Sequence, residues 1–82
     1  MNIFVANLPY RISEDELADL FSEYGEIESA KIIFDKQTGS SKGFGFVEMS
    51  EDQDAEVAIE NLNGYDIDGR EITVKKAVPK NQ

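Results

Sequence analysis

Cysteine, histidine and tryptophan are all absent from this 82-residue chain, which has two prolines and only eight basic residues against seventeen acidic ones. Without cysteine there is no disulfide framework, thiolate nucleophile or thiolate zinc site; without histidine the commonest general base and metal ligand are missing too. Paired carboxylates without a cleft signal are ordinary solvated surface, so an enzyme is the disfavoured class and neither metal nor cofactor is expected. No apolar run approaches the ~18 residues of a membrane span. Met1 leads into Ile3-Phe4-Val5 with no basic n-region or cleavage site, so a cytoplasmic protein with no membrane partner is expected. At ~100–200 residues per domain the chain is one small unit.

What is present changes period in a regular order. Asn2 to Ala6 alternates, with Ile3 and Val5 on one side and Asn2, Phe4 and Ala6 on the other, which is strand spacing. Pro9 closes that strand. Ser13 with Glu16 three residues later forms a capping box, and Leu17, Leu20, Phe21 and Tyr24 then share one helical face, with Gly25 expected as the C′ residue. Ile27 to Phe34 alternates again, setting Ala30, Ile32 and Phe34 opposite Ser29, Lys31 and Ile33. After a polar turn, Lys42 to Met49 is a third strand in a hairpin with the second. Ser50 with Gln53 repeats the capping box, Ala55, Ala58, Ile59 and Leu62 line a second helix, and Gly64 closes it. An Asp68-Gly69 turn precedes a last strand, Glu71 to Lys75.

The order βαββαβ predicts an α+β, ferredoxin-like sandwich over residues 1–78, with 79–82 a short polar tail: a four-stranded antiparallel sheet carrying two helices on one face. Alternation assigns Ile3, Val5, Ala30, Ile32, Val47, Met49, Ile72 and Val74 to the covered face. Lys31, Lys42, Glu48, Thr73 and Lys75 fall on the open face, and so do Phe4, Phe44 and Phe46. The first and third strands are central neighbours, so the three phenylalanines form one apolar patch rimmed by lysines, the mark of a binding surface. Charged neighbours at Lys31, Glu48 and Lys75 argue against a homodimer core and for a monomer. A flat aromatic set among cations suits unstacked bases and their phosphates, hence a single-stranded nucleic acid, RNA or DNA.

Lys42-Gly43-Phe44-Gly45-Phe46-Val47-Glu48-Met49 resembles the octapeptide ribonucleoprotein motif of the RNA recognition motif family, and Ile3-Phe4-Val5-Ala6-Asn7-Leu8 resembles its hexapeptide partner. The departure is Met49, where the family pattern has Phe or Tyr; that position faces the helices. The resemblance covers about Asn2 to Val78 and implies that two bases stack on Phe4 and Phe44. It further implies that Phe46 inserts between sugars or supports a base, and that Lys42 meets the phosphate backbone. Asn2, Lys31, Ile33, Thr73, Lys75 and the main chain near Lys76 and Ala77 would make secondary contacts. Tyr10, in the loop after the first strand, either reaches a base or packs against the first helix. A chain that is one such motif from Met1 resembles the small single-motif members of bacteria and organelles.

Two other patterns are weak. Asp66-Ile67-Asp68-Gly69 is a fragment of a calcium loop, but the twelfth loop position is Ala77 and not the bidentate Glu, so a turn is the better reading. Gly43-Phe44-Gly45 begins a dinucleotide fingerprint that breaks at Glu48. The net charge of −9 is unusual for a binder of polyanions. Glu14, Asp15, Glu16, Asp19 and Glu23 lie on the first helix, however, and Glu51, Asp52, Asp54, Glu56 and Glu60 on the second, so ten of the seventeen acids point away from the sheet. Screening over ~8 Å lets the near lysines prevail. The alternative is a protein-interaction module of the same fold, using the sheet face or the acidic helices.

Overall fold

The computed structural model describes residues 1–77. Its elements run β1 (Asn2–Ala6), α1 (Glu14–Ser22), β2 (Ile27–Phe34), β3 (Ser41–Met49), α2 (Asp52–Leu62), β4 (Asp66–Ile67), β5 (Arg70–Glu71) and β6 (Thr73–Lys76). Four strands form one antiparallel sheet in the order β2-β3-β1-β6, and β4 pairs with β5 in a separate small hairpin. This is the ferredoxin-like βαββαβ sandwich, with β1 and β3 in its centre. Val78 and the 79–82 tail lie outside the described residues.

Strand alternation decides what the sheet buries. Ile3, Val5, Ile32, Val47, Met49, Ile72 and Val74 are all buried, and they meet Leu17 and Phe21 of α1 and Ala55, Ala58 and Leu62 of α2. Each large side chain so enclosed contributes ~1.5–3 kcal/mol, so this interlocking layer is what holds a domain of this size together. Met49 is 1% exposed, which places the departure from the family motif in the core and off the open face.

Helix α1 starts where its local chemistry directs. Ser13 Oγ accepts from the Glu16 N–H at 3.1 Å while the Ser13 N–H donates to Glu16 Oε1 at 3.0 Å, a complete capping box. The corresponding expectation for α2 is corrected: its N-cap is Glu51, with no side-chain cap bond, because Ser50 Oγ donates instead to Glu28 Oε2 at 3.1 Å. Gly25 is not a left-handed C′ residue either. The C-cap of α1 is Glu23, and only Gly39, Gly43, Gly64 and Gly69 among the glycines have positive φ. A Cβ at Gly25 would lie 2.6 Å from the Cβ of Asp54, so the glycine serves the close approach of the chain entering β2 to the start of α2.

Three strand expectations also shift. Two residues of β2 face one of β3 between Ile27 and Ser29, so Glu28 is a bulge and Ile27 turns inward, opposite Met49. Between Ile32 and Phe34 the extra residues are on β3, where Gly43 takes a φ of +83°; Phe34, past this irregularity, is 49% exposed and does not join the covered face. The predicted last strand divides: Glu71 belongs to the hairpin, opposite Asp66, whereas Thr73 to Lys76 pair with β1. The hairpin turns through Asp68 and Gly69 at φ 52° and 85°, the pair of positive values a tight two-residue turn requires. The Asp68 carboxylate there binds Arg11 Nη2 at 2.9 Å, so the Asp-Gly pair is a turn tied to the loop before α1.

Candidate nucleic-acid interface

Antiparallel register places four open-face side chains in one row across the sheet. Lys31 is opposite Phe46, Phe46 is opposite Phe4, and Phe4 is opposite Lys75, so two rings lie between two ammonium-bearing chains on β2, β3, β1 and β6. The Phe4 and Phe46 centroids are 5.5 Å apart, and Lys75 Nζ stands 5.7 Å from the Phe4 centroid. Phe44, two residues along β3 and opposite Ala6, has its centroid 5.8 Å from that of Phe4. Phe46 is 38% exposed, and Phe4 and Phe44 are half-buried. The rings are tilted 43° and 55° to one another, in the range of favourable aromatic pairs.

The remaining expected residues are grouped around these rings. Lys31, Lys42, Thr73 and Lys75 are exposed, and Ile33 is half-buried at the outer strand. Asn2 is exposed beside Phe4 on β1, but its neighbour across β3 is Glu48, so this end of the face is the acidic one. The Ala77 N–H donates to Asn2 O at 2.9 Å and is therefore already engaged. A hollow lined by Phe4, Phe46, Lys75, Lys76 and Ala77 flanks the rings on one side; on the other, a second is lined by Tyr10, Lys42, Phe44 and the loop from Asp35 to Ser41.

The β3 glycines let this face form. A Cβ at Gly45 would run into the Lys31 carbonyl oxygen, so only glycine lets β2 and β3 close up between the rings of Phe44 and Phe46. Gly43 takes a left-handed φ, its carbonyl accepts from the Leu8 N–H at 2.8 Å, and its missing side chain leaves room for Tyr10. Sequence reasoning left Tyr10 between two roles. It is 64% exposed, with the Arg70 guanidinium carbon 5.3 Å from its ring centroid, and it does not pack into the core. Arg70 was missed altogether, as was Asn7, whose amide oxygen accepts from Arg70 Nη2 at 3.1 Å and whose Nδ2 donates to Glu71 O at 2.9 Å. The available signal was an Asn after the first strand, a residue that tolerates the φ of 60° found there.

Away from the sheet, a groove is lined by Arg11, Ile12, Glu16, Leu20 and Tyr65 to Asp68. Its guanidinium belongs to Arg11, whose pKa is raised above its usual value chiefly by the hydrogen bond to Asp68. All ten acids on or capping the two helices are exposed except Asp54, which is half-buried.

Known proteins resemble this chain in sequence and fold. The chain is 50% identical over 78 residues to the chloroplastic 28 kDa ribonucleoprotein of Spinacia oleracea, covering 95% of this chain and 34% of that protein. It thus spans about a third of the length of that relative, and 29% of the chloroplastic 29 kDa ribonucleoprotein A of Nicotiana sylvestris, to which it is 44% identical. The solved structure of RNA binding protein PG1 superposes with a TM-score of 0.93 at 46% identity, over 100% of this chain and 99% of that one. A chain of the Sxl-lethal protein/RNA complex does so at 0.92 and 33% identity, over 99% and 48%. These relatives overturn the cytoplasmic expectation, since they are chloroplastic proteins. That expectation rested on reading the residues after Met1 for a leader, and where a sequence begins does not settle an address when it spans about a third of its relatives' length. The pattern described as the RNA recognition motif matches residues 3–73, and the chain belongs to the RNA recognition motif family.

Proposed function

We propose that the open sheet face binds single-stranded RNA. Two neighbouring bases lie on Phe4 and Phe44, Phe46 inserts between sugars or supports a further base, and Lys31, Lys42 and Lys75 meet phosphates. The observation that carries this reading is the row Lys31, Phe46, Phe4, Lys75, in which two adjacent rings on the open face are flanked by a cation on each outer strand. Bases offer a π-face whatever their identity, and each stacked base contributes ~1–3 kcal/mol. Exposed lysines at the ends of the row also disfavour a second protein copy as the cover, since interface cores are depleted of charge. The ribonucleoprotein names of the relatives and the RNA in the Sxl-lethal complex support the same ligand.

A second reading, a protein-interaction module, is favoured by one observation: the groove beside Arg11 and Tyr65 opens among exposed carboxylates on the helical side. RNA affinity and thermal unfolding measured together on two variants separate the readings. Phe44→Ala should lose ~1–3 kcal/mol of affinity for random single-stranded RNA, about one to two orders of magnitude, and melt close to wild type. Phe21→Ala, at a fully buried ring, should lose ~3–5 kcal/mol of stability and weaken binding only through unfolding. If Phe44→Ala binds RNA as tightly as wild type, the sheet-face reading fails. Running the same titration with single-stranded DNA establishes whether the sugar is read.

A further inference from the structure

The loop between β1 and α1 carries a large exposed ring that the sheet-face reading does not use. Tyr10 is 64% exposed, more than any other large apolar or aromatic side chain among the described residues. An exposed ring of this size is ordinarily mobile, yet this one is held from two directions. The Arg70 guanidinium carbon lies 5.3 Å from its centroid, and Cε1 approaches the space that a side chain at Gly43 would fill. Arg70 is itself positioned by Asn7 Oδ1, which accepts from its Nη2 at 3.1 Å, and its Nε is buried with no hydrogen-bond partner among the described residues. With 64% of the residue exposed and a guanidinium 5.3 Å from its centroid, the ring is both held and accessible to a ligand. Tyr10, Lys42 and Phe44 line one hollow, so this ring, a lysine and the last ring of the sheet patch border the same space.

We infer that Tyr10, backed by Arg70, is a further base platform. It extends the RNA path beyond Phe44 by one nucleotide, whose phosphate meets Lys42. The inference rests on the sheet-face reading above and deepens it: the strand runs off the β-sheet at the Gly43 bulge and over the loop. Arg70 is a positioning residue in this scheme. Its guanidinium fixes the ring plane and, as a cation stacked on the far face, favours an electron-rich base on the near one. Ordering the ring before RNA arrives removes part of the entropy that binding would otherwise have to overcome.

The test uses the whole chain and labelled random-sequence RNA pools, each one nucleotide longer than the last. Wild type should gain affinity at the step where the strand first reaches Tyr10. Tyr10→Leu keeps apolar bulk over Gly43 but has no π-face; it should melt like wild type and lose that gain, a drop of about 5- to 150-fold on the longer pools only. Tyr10→Phe should keep it, because the ring and not the hydroxyl is used. If Tyr10→Leu matches wild type on every pool while Phe44→Ala weakens all of them, the added platform is wrong and the sheet-face reading stands. If neither substitution matters, both fail.

Discussion

Phe4 and Phe46 are cross-strand partners whose rings sit 5.5 Å apart on the open side of the central strand pair. The pair braces each ring at a fixed tilt without burying it, so its contribution to the fold is the ~0.5–1.5 kcal/mol of an aromatic contact and not the several of a core ring. Phe4→Leu, which keeps apolar bulk, should leave stability within about 1.5 kcal/mol of wild type while RNA affinity falls by one to two orders of magnitude. A melt and a titration on that one variant give both numbers, and a large stability loss with intact binding would place Phe4 in the core instead.

Salt dependence measures how much of the binding is ionic. Three lysines on or beside the open face suggest about three phosphates, and single strands release counterions with a slope of about −0.7 per phosphate, hence a log-affinity slope near −2. A slope steeper than about −4 would mean that cations outside this face take part. Charge reversal on the helical side, Asp19→Lys or Glu56→Lys, both at exposed positions, should raise affinity slightly for every strand without altering base preference, since the effect is long-range. Loss of binding by either variant, still folded, would move the interface to the helices.

Gly45 marks a close approach of β2 and β3. Its register partner is Ile32, and the Cβ of an alanine would meet the Lys31 carbonyl oxygen, a backbone atom that cannot rotate away. Gly45→Ala should therefore cost ~1–3 kcal/mol of stability and displace the rings on either side of it, lowering the melting temperature and RNA affinity together. An unchanged melting temperature would show that the strands can part at no cost.

Glu14 reaches from the first turn of α1 to the outer strand, where its Oε2 accepts the Ile32 N–H at 2.9 Å. β2 is an edge of the sheet, and this bond occupies a donor that no further strand can pair with. Glu14→Ala should cost ~1–3 kcal/mol and speed hydrogen exchange at Ile32, whereas Glu14→Gln, which retains an acceptor, should cost less. Equal exchange in both variants would show that another group, or water, replaces the carboxylate.

The readings that held came from short-range periodicities. Ile3 and Val5 turn inward and Phe4 outward because successive side chains in a strand oppose each other, and Ser13 caps α1 because Glu16 is three residues away; each is decided within a few residues of chain. The same rules missed wherever a distant segment competed. Ser50 has the spacing of a cap, but the Glu28 bulge supplies it with a carboxylate. Phe34 has the parity of a core residue, but the β3 irregularity at Gly43 leaves it exposed. Gly25 has the position of a helix terminator, but what requires glycine there is Asp54. That three rings share the open side of the sheet was thus legible in the sequence, since alternation and motif both select Phe4, Phe44 and Phe46. The contact between Tyr10 and Arg70 was not: they are sixty residues apart in the chain, and only the folding of the β4–β5 hairpin against the loop after β1 brings guanidinium and ring together.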